Sequence, residues 1–137
     1  MYQPILRSSD WFHSAGYDLD TEGDISAFLG IQIDKVQDSF FLTQTGLISK
    51  IIKYAQMGDC NFDRTPAPTS ALGSNVDGEL WIDPKEGFEY ASVVGMLLYL
   101  ANNTRPDIAF AVHQCARFTH APRLSHAKAL KRIIRYL

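Results

Sequence analysis

The chain has only two cysteines, Cys60 and Cys115, among its 137 residues. They are far apart and form no C-x-x-C pair, so the sequence indicates neither a disulfide framework nor a thiolate metal site. Long apolar runs are also missing, since the longest, residues 96–101, is much shorter than the roughly 20 residues of a membrane-spanning helix. The N-terminus becomes polar within a few residues, unlike a secretory signal. These absences predict an intracellular protein that is not associated with a membrane.

Charge is distributed unevenly along the chain. The net charge is -2, but residues 1–104 hold 6 basic and 14 acidic side chains, whereas residues 105–137 hold 7 basic side chains and 1 acidic one. A basic C-terminal quarter is typical of proteins with a polyanionic partner, because Lys and Arg that neutralise phosphates release condensed counterions. A solvated helix face has the same composition. Charge alone therefore leaves both interpretations open.

The N-terminal half carries the pattern of a β-hairpin. Residues 26–34 alternate in polarity, and residues 40–43 form a return strand after a polar turn. One face of the first strand is formed by Leu29, Ile31 and Ile33. Gly30 weakens this strand, yet it permits a bulge or the close approach of another backbone or a ligand.

Helical spacing of apolar residues recurs in four later segments, which span residues 46–57, 88–102, 106–119 and 126–137. Thr45 and Ser125 are the expected N-caps of the first and last helices, and Gly58 suits the left-handed position after the first. Pro106 and Asp107 fit the first turn of the third. The predicted fold class is α+β, with an N-terminal hairpin and helix followed by about three helices.

The segment 64–84 is rich in Pro, Ser, Gly, Asn and Asp, which is the composition of an exposed connection. We therefore divide the chain into a hairpin-and-helix unit (residues 1–63), a linker (64–84) and a helical region (85–137).

A zinc site is one possible use of the histidines and cysteines near the C-terminus, which are His113, Cys115, His120 and His126. Their spacing is poor for zinc, because Cys115 points away from the face shared by His113 and His120, and Pro122 precedes His126. Cys115 also lacks any oxyanion feature that would accompany a nucleophile. Structural roles, and a core thiol at Cys115, are the favoured interpretation.

Six strings occur in an order that resembles copia-type retrotransposon reverse transcriptase, in the part that follows its palm active site. They are FLGIQI (28–33), LTQ (42–44), TP (65–66), YASVVGMLLYL (90–100), TRPDIAFAV (104–112) and KRIIRYL (131–137). The resemblance covers residues 20–137, and residues 1–11 do not match the pattern.

The resemblance implies that Phe28, Leu29 and Gly30 belong to a primer grip, which positions the terminal backbone of the primer. Gly30 would then let the sugar-phosphate approach, although an ordinary glycine at a hairpin bulge is the plain alternative. Residues 46–57 resemble the thumb, and residues 88–137 the helical connection toward a ribonuclease H domain. The implied partners are primer-template nucleic acid and the rest of the polymerase, namely its palm and ribonuclease H domains.

The catalytic residues of that family are missing from this sequence. Polymerisation needs a Tyr-x-Asp-Asp turn and a third aspartate that together hold two magnesium ions. Asp18 and Asp20 are separated by a leucine and follow the position of the catalytic turn, so solvated loop carboxylates are favoured there. We expect the chain to be inactive alone and to hold no cofactor, with magnesium belonging to the parent polymerase.

The last predicted helix places its cations on one outward stripe, opposite an apolar one. These cations are Lys128, Lys131, Arg132 and Arg135. The predicted function is that of a non-catalytic C-terminal piece of a copia-type reverse transcriptase that contributes primer-template binding to retrotransposon replication. A free-standing nucleic-acid-binding module and an inactive relic of a transposable element are the alternatives.

Overall fold

The computed structural model describes residues 27–68, 70–74, 78–81 and 88–137. In these ranges three strands precede four α-helices and one short 3-10 helix. In chain order they are β1 (Ala27–Phe28), β2 (Ile31–Val36), β3 (Ser39–Thr43), α1 (Thr45–Tyr54), α2 (Tyr90–Asn103), the 3-10 helix (Pro106–Ile108), α3 (Ala109–Ala116) and α4 (Leu124–Tyr136). The predicted α+β class is confirmed. Asp18 and Asp20 lie outside the described residues, and no helix within them is long and apolar enough to cross a membrane.

The strands form an antiparallel sheet in the order β1-β2-β3. The prediction of one continuous strand over residues 26–34 is wrong, because a two-residue turn at Leu29 and Gly30 separates β1 from β2 and pairs Phe28 with Ile31. Both turn residues have positive φ, 51° at Leu29 and 78° at Gly30, as a type I′ hairpin turn requires. A methyl group on Gly30 would meet no described atom within 4 Å. The turn conformation, rather than crowding by the protein, accounts for this glycine.

The first helix begins and ends differently from its prediction. Gln44 is its N-cap residue, and no side chain caps it. The Thr45 hydroxyl instead donates a hydrogen bond to Oε1 of Gln32, at 2.6 Å, and so joins the helix to β2. The left-handed residue after the helix is Gln56, with a φ of 55°, and not Gly58.

The N-cap residue of the last helix differs from the predicted one. Arg123 is the N-cap residue, and Ser125 lies inside the first turn rather than at the cap. The backbone N–H of Arg123 donates to Nδ1 of His126 at 3.0 Å. Nε2 of the same ring lies 2.9 Å from the carbonyl oxygen of Gly73. Since that carbonyl only accepts, Nε2 carries the proton, and His126 links the start of α4 to the segment around Gly73.

The third helix was predicted over residues 106–119. In the structure it ends at Ala116 and consists of two parts, the 3-10 helix and α3. Pro106 and Asp107 occupy its first turn, as predicted. The Arg105 guanidinium makes two hydrogen bonds to the Asp107 carboxylate, at 2.9 and 2.8 Å. These bonds hold the pKa of the Asp107 carboxyl below its usual value.

Buried apolar side chains from all four α-helices form one hydrophobic core, which includes Ile51, Leu97, Val112 and Leu130. The connection over residues 64–84 is predicted to be exposed, but its Trp81 is buried and packs against Phe88 at a centroid distance of 5.3 Å. Its backbone N–H donates to the carbonyl of Pro122 at 2.9 Å. The division of the chain into separate folding units stays a prediction.

Candidate nucleic-acid interface

Three of the four predicted cations line one open depression beside α4. Lys128, Arg132 and Arg135 lie along one side of the helix, and Pro68 and Leu72 also line the depression. The depression has a volume of about 260 Å³. Spacings of four and three residues place successive side chains on the same face of a helix, which is why these three cations converge.

Two of these cations are held by the segment that follows α1. Nε and Nη2 of Arg132 donate to the backbone carbonyl and the hydroxyl of Thr65, at 3.1 and 2.8 Å. Nε of Arg135 donates to Oδ2 of Asp63 at 2.6 Å in an ion pair. The backbone N–H of Asp63 donates in turn to the carbonyl of Arg135 at 3.1 Å. Both guanidinium groups are therefore fixed in position beside the depression.

Lys131 lies in a different environment from the other three. Its ammonium is 5.0 Å from the ring centroid of Trp81 and 5.8 Å from that of Phe88. A lysine over two aromatic faces is stabilised by the ring quadrupoles. The structure thus brings Lys128, Arg132 and Arg135 together and separates Lys131 from them.

The turn predicted to belong to a primer grip is anchored to α2. The hydroxyl of Tyr99 donates to the backbone carbonyl of Leu29 at 2.8 Å. The Leu29 side chain is 71% exposed, and Phe28 is described through its backbone, which pairs with Ile31. The structure therefore places this turn at the surface and attaches it to the helical part of the chain.

The residues of the discarded zinc set are dispersed. Cys115 and His126 are buried, whereas His113 and His120 are exposed. Within the described ranges, no group of three or more His, Cys, Asp or Glu side chains could hold a metal ion. Burial raises the pKa of the Cys115 thiol to about 11. A core thiol is therefore the role that Cys115 has in the structure.

Sequence reasoning missed the residues that organise the depression. Asp63 and Thr65 contact α4 across 72 and 67 residues of sequence, and Ser125, expected to be a cap, lines the depression instead. The only sequence signal for these two residues was the TP string at residues 65–66, which contains Thr65 and lies two residues after Asp63. Nothing in that string indicates a contact with an arginine.

Comparisons with known proteins find relatives among transposon proteins. No family model matches the chain, and no solved structure matches it. An uncharacterized mitochondrial protein of Arabidopsis thaliana is 37% identical over 124 residues, 90% of this chain and 50% of the relative. The retrovirus-related Pol polyprotein from transposon RE1 of the same plant is 38% identical over 114 residues, 83% of this chain and 8% of the polyprotein. A putative transposon Ty5-1 protein of Saccharomyces cerevisiae is 30% identical over 123 residues, 88% of this chain and 39% of the relative.

The chain therefore spans half of the mitochondrial relative and less than a tenth of the RE1 polyprotein. The RE1 polyprotein and the Ty5-1 protein each match more than four fifths of the chain, so the similarity includes the sheet as well as helices. These matches support the interpretation of the chain as a transposon-derived protein.

Proposed function

We propose that the chain corresponds to the part of a copia-type reverse transcriptase that follows the palm active site, and that it contacts primer-template nucleic acid without catalysing synthesis. The similarity to retrovirus-related Pol polyproteins supports this proposal. The six ordered strings of the sequence support the more specific assignment to the region after the palm.

The observation that carries the proposal is the convergence of Lys128, Arg132 and Arg135 on one depression. Residues 1–104 carry a net negative charge. The depression is therefore a local positive region on a slightly acidic protein. Cations grouped in this way attract the phosphates of nucleic acid and gain free energy from the counterions that the phosphates release.

The turn at Leu29 and Gly30 is the second proposed contact. It lies at the surface, and its backbone is held by Tyr99. A side chain is absent at Gly30, so a sugar-phosphate backbone can approach the turn closely there. We assign this turn, together with Phe28, the role of a primer grip.

The rest of the polymerase is the proposed partner of the sheet. Phe40, Phe41 and Leu42 are between 50% and 65% exposed in β3. Neighbouring apolar residues with this exposure mark surfaces that another protein segment covers. We expect the isolated chain to enhance the fluorescence of an apolar dye, and Phe40→Ser with Leu42→Ser to reduce the enhancement. An unchanged signal in the double variant would assign the dye to another surface and contradict this role of the sheet.

Binding to a fluorescein-labelled primer-template duplex tests the proposed function. Anisotropy is measured with the purified full chain over a series of salt concentrations. We expect binding at low salt and a linear fall of log affinity with log salt, because phosphate contacts release counterions. An inactive relic would show no binding even at low salt, and a salt-independent affinity would also contradict phosphate contact.

A further inference from the structure

We propose that the depression beside α4 binds one phosphodiester unit of a nucleic-acid strand, with its phosphate at Lys128, Arg132 and Arg135 and its sugar against Pro68 and Leu72. This inference rests on the proposed function and assigns it a defined site. It limits the predicted stripe of four cations to three, because Lys131 lies against the aromatic rings of Trp81 and Phe88.

The charge of the site suits a phosphodiester. Three cations line the depression, and Asp63 neutralises part of the charge by its ion pair with Arg135. The remaining positive charge exceeds the single negative charge of one phosphodiester. A bound phosphate is therefore attracted to the site even after the internal ion pair has formed.

The two arginines keep hydrogen-bond donors available. Arg132 uses Nε and Nη2 toward Thr65, and Nη1 has no protein partner among the described residues. Arg135 uses Nε toward Asp63, which leaves both of its terminal nitrogens without such a partner in the same ranges. Guanidinium N–H groups are strong donors to phosphate oxygens, and these donors are attached to groups that line the depression.

The contacts to Thr65 and Asp63 also reduce the entropic cost of binding. A free arginine side chain loses rotamer freedom when it engages a ligand, and this loss weakens binding. In this chain the segment after α1 already orders both guanidinium groups. Lys128 is exposed and adds a mobile charge at the edge of the depression.

The apolar part of the lining favours a nucleotide unit over free phosphate. Pro68 and Leu72 line the same depression as the cations and add apolar surface to it. A sugar attached to the phosphate would cover this surface, whereas an inorganic ion would leave it exposed to water. The site is a local depression, so it accommodates one such unit rather than a row of phosphates.

Single Gln substitutions test the site in the full chain, with the labelled primer-template duplex over a salt series. Lys128→Gln and Arg132→Gln each remove one positive charge from the depression. Arg117→Gln is the matched control, because Arg117 is exposed after α3, bonds to Gln114 and does not line the depression. We expect each depression variant to lower the slope of log affinity against log salt by about one unit, and the control to leave it unchanged.

Lys128 makes no hydrogen bond or ion pair with the described residues, so its variant remains interpretable even if Arg132→Gln loosens the segment at Thr65. A thermal melt of each variant verifies folding. Competition with inorganic phosphate at constant ionic strength distinguishes a site for a nucleic-acid phosphodiester from a site for the free phosphate ion. We expect inorganic phosphate to displace the duplex no better than chloride does.

The outcomes separate the site from the proposed function. Duplex binding with a reduced slope in Lys128→Gln and an unchanged slope in Arg117→Gln supports the site. Duplex binding with the same slope in both variants overturns the site and leaves the proposed function standing. No duplex binding by the unmodified chain overturns the proposed function, and the site with it. Displacement of the duplex by inorganic phosphate at low concentration assigns the depression to the free ion and also overturns the phosphodiester site.

Discussion

Replacement of His126 by alanine should destabilise the chain strongly, because this buried side chain joins three parts of the structure. Its Nδ1 accepts from the N-cap residue of α4, and its protonated Nε2 donates to Gly73. The ring also stacks on Phe118 with a centroid distance of 3.9 Å and an interplanar angle of 16°. Alanine removes all of these contacts at once.

The magnitude follows from the separate contacts. Loss of the interaction that caps α4 costs about 1 kcal/mol, and loss of the bond to the Gly73 carbonyl costs about 1 kcal/mol. Removal of a fully buried ring that stacks on another ring adds about 1–2 kcal/mol. The free energy of unfolding should fall by about 3–4 kcal/mol, which corresponds to a decrease in Tm on the order of 10 °C.

Urea unfolding followed by circular dichroism measures this change, with a constant m-value as the sign that the unfolded state is unaffected. His126→Gln should recover about 1 kcal/mol, because a glutamine at the third helical position can accept from the N-cap N–H. The control is His113→Ala, which replaces an exposed histidine of α3. It should change the free energy of unfolding by less than about 0.5 kcal/mol. A loss below about 1 kcal/mol in His126→Ala would refute the reasoning.

Four further predictions concern reactivity, pH and activity. Iodoacetamide at mildly alkaline pH should modify exposed Cys60 and spare Cys115 until the chain unfolds, and mass spectrometry showing both thiols modified in the folded chain would contradict this. Burial raises the Cys115 pKa to about 11, so the contribution of the neutral thiol to stability is complete below its unfolded pKa and is lost as pH rises from there to about 11. Cys115→Ala should therefore flatten the alkaline part of a Tm-against-pH curve. The lowered pKa of Asp107 acts in the opposite direction: its pairing with Arg105 stabilises the fold above the unfolded pKa and is lost as pH falls through the lowered folded value, so Asp107→Asn should reduce the acid dependence of Tm. On a primed template with magnesium or manganese the pure chain should incorporate no nucleotide, because its sequence lacks the Tyr-x-Asp-Asp turn, and incorporation above background would disprove this.

The helices were predictable because their signal is local. Apolar residues at a spacing of three and four residues define α2 and α4, and both occur within two residues of their predicted starts. Alternation of side chains along the chain predicted the hairpin over residues 26–43, but it missed the turn at Leu29. A leucine with positive φ is uncommon, and a pattern of alternation does not reveal it.

The candidate site was predictable only in part. Helical periodicity identifies outward positions, and this placed Lys128, Arg132 and Arg135 on one side of α4. It could not separate Lys131, whose position depends on Trp81 and Phe88, more than forty residues earlier in the chain. It also could not reveal Asp63, because an ion pair between distant parts of the sequence has no periodic signature.

The sheet has a consequence for the behaviour of the protein at high concentration. Among the described residues β3 pairs with β2 alone, so its outer backbone groups have no strand beside them. Its sequence, SFFLT, contains neither a charge nor a proline, the two devices that commonly block strand addition at a sheet edge. Lys35 offers limited protection, with its ammonium 5.8 Å from the ring centroid of Phe40. In concentrated solution two such edges can join into a continuous intermolecular sheet, so β3 is a point at which the isolated chain can self-associate.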